Sequence, residues 1–287
     1  MGFDIYAEIT DRIIAELEKG SIPWKKPWVG SQDCAISHTT LKPYSILNQL
    51  LLGGKVGEFI TLKQANREGG TVRKGEKSSF VTFWKMLETE DKDTGEEKTI
   101  PYLRYYRVFH ISQCEGIKPR FKQEPLPNVV QPHEEAERIL WDYCNREGIR
   151  VDQALGNRCS YSPELDRISL PAHEQFFSLE EAVSSFAHEC GHSVGHPSRL
   201  NRHLDSNFGS ESYSLEELVA EITACAITHH VGLETPESFT NSAAYIQSWL
   251  RALKNDKKLI VIAAGKAEKA YHYILGDEAE EPQDMGE

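Results

Sequence analysis

The chain has 287 residues, a net charge of −12, 39% apolar residues and 26% charged residues. This composition is typical of a soluble globular protein with room for two domains. No run approaches the ~20 consecutive apolar residues of a membrane-spanning helix, so such a helix is excluded. Residues 1–125 carry 19 Lys/Arg and 17 Asp/Glu (net +2), whereas residues 126–287 carry 13 and 27 (net −14). The more basic first part indicates a polyanionic partner there.

The first half of the chain predicts one helix and two strands. "DIYAEITDRIIAELEKG" has a helical period of apolar residues and a glycine stop. "SSFVTFWKML" and "TIPYLRYYRVFHI" are rich in aromatic and β-branched residues, which predicts strands joined by a hairpin loop over residues 88–98. The N-terminus lacks a basic start followed by an apolar run, so no signal peptide is predicted. Six cysteines without a C-x-x-C pair favour reduced thiols and a cytoplasmic location.

Domain boundaries follow from the proline-rich stretch "FKQEPLPNVVQPHEE". We predict a first domain over residues 1–124, a linker over 125–131, and a second domain over 132–276. The acidic tail, residues 277–287, has few apolar residues and is predicted to be disordered. The expected fold class is α+β: a small α+β domain, then a mostly helical domain with a short β-sheet.

The second half predicts mainly helices. "PHEEAERILWDYCNREG" predicts a helix, and "RCSYSPELDRISLP" predicts a short hairpin. "SLEEAVSSFAHECGHS" and "SLEELVAEITACAITHHVG" each begin with Ser-x-x-Glu, the pattern of a helix capping box. "NSAAYIQSWLRALKND" and "KLIVIAAGKAEKAYHYIL" complete a helical C-terminal part.

The H-E-x-x-H pattern of His188, Glu189 and His192 predicts a metal site. Histidines four residues apart on a helix project from one face and can bind one ion, and neutral imidazoles suit Zn²⁺. Glu189 lies one step round the helix, where its carboxylate can act as general base toward a water molecule at the ion.

The third protein ligand is the open question at this site. His196 lies about 12 Å along the helix from His188, too far for one ion, and Ser198 occupies the position of the last histidine in H-E-x-x-H-x-x-G-x-x-H. We favour Glu217 as the ligand and Glu221 as the residue that orients a ligand imidazole, with the reverse assignment as the alternative. The alternatives are that Glu217 only forms a capping box with Ser214, and that Glu221 only forms a buried salt bridge. Weaker candidates are His203, Asp205, His229 and His230.

Cations interleaved with aromatic residues in the first domain predict single-stranded DNA binding, because bases stack on aromatic rings and phosphates attract Lys and Arg. The candidate DNA-binding residues are Trp24, Lys25, Lys26, Trp28, Arg73, Lys74, Lys77, Trp84, Lys85, Arg104 and Tyr106. The alternative is that the aromatic residues form the core of a small domain, and we assign Phe80, Phe83 and Phe109 to that core.

Six stretches spread along most of the chain carry a family resemblance: "PWKKPW", "FITLKQANREGGTVRKGEKSSFVTFWK", "LRYYRVFHISQCEG", "FAHECGHSVGHPSRLNR", "FGSESYSLEELVAEITA" and "NSAAYIQSWL". They resemble the ArdC-type antirestriction proteins of mobile elements. The resemblance implies an N-terminal single-stranded-DNA-binding domain followed by a C-terminal zincin-like metallopeptidase domain. It also implies a zinc site made of His188, Glu189, His192 and Glu217.

The expected function is therefore that of an antirestriction-type protein of a plasmid or other mobile element. It would bind single-stranded DNA and hydrolyse peptide bonds, with Zn²⁺ as cofactor and an unknown, possibly DNA-bound, protein as substrate, and without a membrane partner. The alternative is a DNA-binding protective protein whose zinc site is structural. A catalytic site needs Glu189 and an open coordination position, and a structural site needs neither.

Overall fold

A computed structural model describes residues 4–25, 34–90, 97–121, 132–154, 158–202, 211–233 and 243–277. Its helices are α1 (Ile5–Glu18), α2 (Ile46–Leu52), α3 (Leu62–Arg67), α4 (Pro132–Glu147), α5 (Leu179–Ser193), α6 (Glu211–His230), α7 (Ala243–Asn255) and α8 (Leu259–Leu275). Its strands are β1 (Ala35–Ser37), β2 (Gly57–Thr61), β3 (Thr71–Val72), β4 (Ser79–Glu90), β5 (Glu97–His110), β6 (Cys114–Glu115), β7 (Arg150–Ala154), β8 (Ser160–Ser162) and β9 (Arg167–Pro171). The predicted α+β class with two domains is confirmed.

The smaller unit lies within Ala35–Gln123 and is built on a four-stranded sheet in the order β1-β2-β5-β4. Strands β1 and β2 are parallel, and the other pairs are antiparallel. Helix α2 packs on one face, where apolar side chains alternate inward along the strands. The core cluster there is Ala35, Leu52, Phe59, Val81 and Val108, with Tyr44 and Tyr106 packed against it.

Two side-chain amides of α2 bond to the strands at both ends of this sheet. Asn48 Nδ2 donates to the carbonyl of Thr82 over 2.8 Å, and the Thr82 N–H donates back to Asn48 Oδ1 over 2.6 Å. Gln49 makes the same reciprocal pair with the backbone of Ala35 in β1, over 2.8 and 3.0 Å. These amides satisfy backbone groups that an edge strand would otherwise leave unpaired.

The larger unit contains the remaining helices and the three-stranded sheet β7-β9-β8. Strand β9 pairs in parallel with β7 and antiparallel with β8, so β8 lies at an edge. Helices α5 and α6 pack against each other and against α8. The helix and hairpin predicted for residues 132–171 are present as α4 and the β8–β9 pair.

The N-terminal helix belongs to this larger unit, which differs from the domain predicted over residues 1–124. Contacts group Met1–Cys34 with Glu124–Ala279, and α1 packs against α7 and α8. Thr10 Oγ1 donates to the carbonyl of Lys257 over 2.6 Å. The physical reason is the apolar stripe of α1, whose buried residues need a partner surface that the C-terminal helices supply.

Trp24 corrects a second prediction, which assigned this residue to DNA stacking. Its side chain is fully buried in the larger unit. The indole ring lies edge-to-face on Trp249 of α7, with ring centroids 5.2 Å apart. The apolar area of an indole explains this placement, because a tryptophan gains more by packing in a core than by remaining exposed.

The start of α6 also differs from the prediction. The sequence placed Ser214 at the N-cap, but the helix begins at Glu211, so Ser214 lies inside it and its hydroxyl faces that of Ser248 at 3.3 Å. Glu217 is therefore not a capping residue. The linker at 125–131, the turn of the 88–98 loop and the tail from 278 onward lie outside the described residues. Among the helices that the structure describes, none has the length and apolar character needed to cross a membrane.

We predict that Trp24→Ala lowers the free energy of unfolding by about 3–5 kcal/mol, because it removes a buried aromatic side chain from a packed core. Urea unfolding followed by circular dichroism measures this change. The control is Phe177→Ala, whose ring is 94% exposed and whose loss should change stability by less than about 0.5 kcal/mol. Unchanged stability together with weakened oligonucleotide binding would restore the stacking role of Trp24.

Candidate metal centre

Helix α5 carries the H-E-x-x-H pattern and is well capped. Ser178 is the N-cap and its hydroxyl accepts a hydrogen bond from the Glu181 N–H. The Glu181 carboxylate accepts from the Phe177 N–H over 2.8 Å, which satisfies another free donor at the helix start. From this start the helix runs through Ser193 and presents His188 and His192 on one face.

Gly191 brings α5 very close to α6. A Cβ atom placed on Gly191 would lie 3.0 Å from the Cα of Ala220 and 3.2 Å from its carbonyl oxygen. A larger residue would therefore require the two backbones to shift at this point. Because the crossing point lies beside the two histidines, the glutamates of α6 on either side of Ala220 come within reach of their rings.

Three side chains at this crossing form a group that could hold a metal ion: His188, His192 and Glu217. The two Nε2 atoms are 3.1 Å apart. Glu217 Oε2 lies 3.7 Å from His188 Nε2, and its Oε1 lies 3.6 Å from His192 Nε2. Ligands about 2.0–2.1 Å from a tetrahedral ion would be separated by about 3.3–3.4 Å. The donor set therefore fits one small divalent cation.

Each imidazole has a carboxylate beside its other nitrogen. Glu221 Oε2 lies 3.5 Å from His188 Nδ1, and its side chain is only 2% exposed. This is the geometry expected of the residue that orients a ligand. On the other ring, Glu216 Oε1 lies 3.3 Å from His192 Nδ1.

The sequence reasoning missed Glu216 and its partner Arg202. Arg202 is buried, and it donates to Glu216 Oε2 over 3.0 Å, to Glu216 Oε1 over 2.7 Å and to the carbonyl of Gly191 over 2.6 Å. A buried arginine needs such acceptors, since an unpaired buried charge is costly. The signal available in the sequence was weak: Glu216 directly precedes a ligand candidate, and Arg202 follows the motif by ten residues.

Electrostatics at the centre favour a cation. Burial lowers the pKa of His188, but the Glu221 carboxylate beside its Nδ1 and the charges of Glu189 and Glu217 outweigh this effect and raise the pKa to about 9. Burial would raise the pKa of Glu216, yet hydrogen bonds from His192 and Arg202 lower it. Several carboxylates thus face two imidazoles, and a positive charge between them is stabilised.

Glu189 lies beside the group without being part of it. Its side chain is 7% exposed. Burial raises the pKa of Glu189, and Glu217 adds to the rise, whereas His188 and His192 oppose it. The backbone of Tyr161 in the edge strand β8 also opposes the rise in the pKa of Glu189.

Strand β8 is itself held in place by a buried arginine. Arg199 binds both carboxylate oxygens of Asp166, in the turn between β8 and β9, and donates to the hydroxyl of Tyr161 over 3.0 Å. Its Nε donates to the carbonyl of Ser193 at the end of α5 over 2.7 Å. The arginine thereby ties the strand that contacts Glu189 to the helix that carries it.

The remaining ligand candidates lie elsewhere. His196 Nδ1 contacts the Ser198 hydroxyl at 2.7 Å, and His230 Nδ1 contacts the Tyr271 hydroxyl at 2.8 Å. His229 is buried and stands beside His230 at the end of α6. None of these three histidines joins the group of His188, His192 and Glu217. His203 and Asp205 lie outside the described residues.

The candidate DNA-binding residues are placed as follows. Arg73, Lys74, Lys77 and Arg104 are exposed on the smaller unit, and Arg73 bonds to Glu76 over 2.8 Å. The side chains of Lys25, Trp84 and Lys85, and all of Lys26 and Trp28, lie outside the described part of the chain. Phe80 and Phe83 are buried, and Phe109 is half-buried.

Tyr106 corrects a third prediction, which assigned it to DNA. Its ring packs against the core cluster on the α2 side of the sheet. The neighbouring Tyr105 points to the opposite face and is 42% exposed. Neighbouring side chains of β5 point to opposite faces of the sheet, and the sequence did not indicate which face would be buried.

We predict that Glu217→Gln weakens binding of Zn²⁺ and Mn²⁺ more than Glu221→Gln or Glu216→Gln does. Loss of a partner that only orients a ligand typically costs about 10–100-fold in metal affinity, and loss of a ligand should exceed this. Competitive titration with a chelating indicator measures the three affinities, with Glu115→Gln, an exposed acid of the smaller unit, as control. A larger loss in Glu221→Gln than in Glu217→Gln would reverse the two roles.

Comparisons with known proteins agree with this architecture. Residues 134–266 match the family of zincin-like metallopeptidases, and residues 3–109 match the N-terminal domain of the anti-restriction factor ArdC. Two Escherichia coli proteins named DNA primase TraC are 34% and 33% identical over 96% and 98% of this chain. The chain spans only 20% and 28% of their lengths.

Other relatives match over nearly their full length. An uncharacterized protein y4eC of Sinorhizobium fredii is 30% identical, and the match covers 96% of this chain and 93% of that protein. Crystal structures of the antirestriction protein ArdC from plasmid R388, one metal-free and one with Mn(II), superpose with TM-scores of 0.75 and 0.76. Their sequences are 36% and 35% identical to this chain, and the match covers 100% and 98% of their own lengths. With this identity and a shared fold over 96% of its own length, the chain belongs to the ArdC family of antirestriction proteins.

Proposed function

We propose that this protein binds single-stranded DNA through its smaller unit and hydrolyses peptide bonds at the centre formed by α5 and α6. The observation that carries the catalytic part is the arrangement of His188, His192 and Glu217 around one point, with the buried carboxylate of Glu189 beside them. A purely structural site would need no such additional carboxylate.

The three donors would hold a divalent metal ion, and we propose Zn²⁺. Two imidazoles and one carboxylate are a ligand set that zinc peptidases use, and the R388 structure with Mn(II) supports a divalent cation at such a fold. When bound, the ion would supply Lewis acidity toward a peptide carbonyl. Glu221 and Glu216 would keep the two imidazoles in the orientation and tautomer that binding requires.

Glu189 is the proposed general base. It directly follows the proposed ligand His188, is buried, and interacts electrostatically with both His188 and His192. It would take a proton from the attacking water as a general base and then pass that proton to the leaving amine as a general acid. Because it does not belong to the donor group, its removal should leave metal binding intact.

The DNA-binding part is supported by the charge of the smaller unit. Residues 35–123 contain 15 Lys/Arg and 10 Asp/Glu, a difference of +5. Among the described acids, Glu58 contacts His38, Glu68 contacts Arg120 and Glu76 contacts Arg73. The net positive charge of this unit supports a polyanionic partner such as a polynucleotide backbone.

In the cell, the proposed role is protection of entering plasmid or other mobile DNA from restriction, in the cytoplasm. The DNA-binding unit would recruit the peptidase to DNA, where its protein substrate would also be bound. The competing proposal is a DNA-coating protein whose metal centre is structural, and the two differ in whether Glu189 is needed.

We predict that Glu189→Gln retains metal content and fold but abolishes peptide hydrolysis, because an amide cannot accept the proton from water. Cellular proteins bound to DNA serve as substrates, and new N-termini are counted by mass spectrometry with and without single-stranded DNA. The control is Glu180→Gln, a glutamate in the first turn of the same helix, which should cleave normally.

A plasmid-protection assay separates the two proposals. If Glu189→Gln protects a plasmid from restriction as well as the unaltered protein does, proteolysis is dispensable for that role. The DNA-coating proposal would then replace the catalytic one.

We also predict that the full chain binds an oligothymidylate more tightly than a duplex of equal length. Affinity should fall as salt increases, with a slope of about 0.7 per phosphate contact on single strands, because each neutralised phosphate releases counterions. Fluorescence anisotropy over a salt series measures both effects. Absence of binding at low salt would remove DNA from the proposed function.

A further inference from the structure

The sheet of the smaller unit has two unequal faces. Residues directly opposite each other on β4 and β5 share a face. On one face, Val81 lies opposite Tyr106 and both pack toward α2. On the other, Phe80 lies opposite Arg107, and Thr82 lies opposite Tyr105. We call Phe80, Tyr105 and Arg107 on this second face the outer platform.

The outer platform lies on a face that is covered only in part. Glu58 of β2 shares this face, and it accepts hydrogen bonds from the backbone N–H groups of Arg120 and Phe121, both over 2.8 Å. That chain segment covers the β2 side of the face. Farther along, on β5, Tyr105 is 42% exposed and Arg107 is exposed. The open part of the face is therefore aromatic and basic.

The ring of Tyr105 packs against a buried aromatic ring. It meets Phe80 edge-to-face, with centroids 6.4 Å apart and an interplanar angle of 81°. Phe80 is only 7% exposed, so it acts as a rigid support for the exposed ring. A preorganised aromatic ring loses little conformational entropy when a base stacks on it.

A cation accompanies the ring. Arg107 is two residues from Tyr105 on the same strand face, which corresponds to about 7 Å along the strand. An exposed aromatic ring with a guanidinium on the same strand face is complementary to a base and a phosphate of one extended polynucleotide strand.

We infer that the outer platform is where single-stranded DNA binds, with a base stacked on Tyr105 and a phosphate paired with Arg107. This inference rests on the proposed DNA binding and assigns it to residues outside the sets predicted from sequence. Binding of this kind does not depend on the nucleotide sequence, because every base has a π face and every nucleotide has a phosphate. Tyr105 needs its ring rather than its hydroxyl for this role.

The test uses the full chain and a labelled oligothymidylate of about 20 nucleotides, long enough for a single binding unit. Tyr105→Ala should weaken binding roughly fivefold to a hundredfold, and Tyr105→Phe should stay within about twofold of the unaltered protein. Arg107→Gln should reduce the salt slope by about 0.7. An oligouridylate of the same length distinguishes DNA from RNA as the preferred single strand.

Two control variants remove an exposed ring and an exposed cation that lie outside the outer platform. Phe177→Ala removes an exposed aromatic ring of the larger unit, and Lys42→Gln removes an exposed cation that lies beside β1, at the other end of the sheet. Both should bind as the unaltered protein does. Circular dichroism melting verifies that every variant is folded.

The outcomes separate this inference from the proposed function. If the unaltered protein binds the oligonucleotide but Tyr105→Ala and Arg107→Gln bind equally well, DNA binding stands and the outer platform is overturned as its site. Tight binding of oligouridylate with none of oligothymidylate would overturn the assignment to DNA. If the unaltered protein binds no oligonucleotide at low salt, the proposed DNA binding fails and this inference fails with it.

Discussion

The close crossing of α5 and α6 is the constraint on which the metal centre depends. Gly191 lets the two backbones approach closely, because a Cβ atom at this position would lie only 3.0 Å from the Cα of Ala220. At this separation, the acids on α6 reach both nitrogens of His188 and His192. A wider crossing would leave Glu217 beyond the ligand distance and would leave buried carboxylates without partners. The glycine inside H-E-C-G-H therefore supports the close crossing on which the centre depends.

The same crossing explains why so much charge is tolerated in the interior. Glu216 and Glu221 are buried among apolar residues of α6, where an unpaired carboxylate would be costly. Glu216 is compensated by Arg202, which also binds the Gly191 carbonyl and so ties the loop after α5 to the crossing. Glu221 is compensated by His188. If any one member is removed, another buried charge loses its partner, and the free-energy cost of burying that charge is no longer offset. The network therefore favours one arrangement of the two helices.

Much of this centre could be predicted from sequence, because it depends on local spacing. Histidines four residues apart on a capped helix must share a face, and the pair Glu217/Glu221 has the same spacing on a second helix. The crossing itself was not predictable, since it depends on which residue of α6 meets Gly191. For that reason Glu216 and Arg202, which lie on separate elements, were missed. The early start of α6 was missed as well, because Ser214 has the composition of a cap but lies within the helix.

The aromatic residues show where composition stops being informative. Trp24 and Tyr105 both occur among basic residues and look equally suited to a nucleic acid. Trp24 is buried because Trp249, 225 positions later in the chain, supplies a matching surface, and no local pattern encodes that contact. Tyr105 is exposed because α2 covers the opposite face of β5 and takes Tyr106 instead. Local sequence determines that side chains alternate along a strand, but the packing of a distant element decides which face becomes core and which remains open to a ligand.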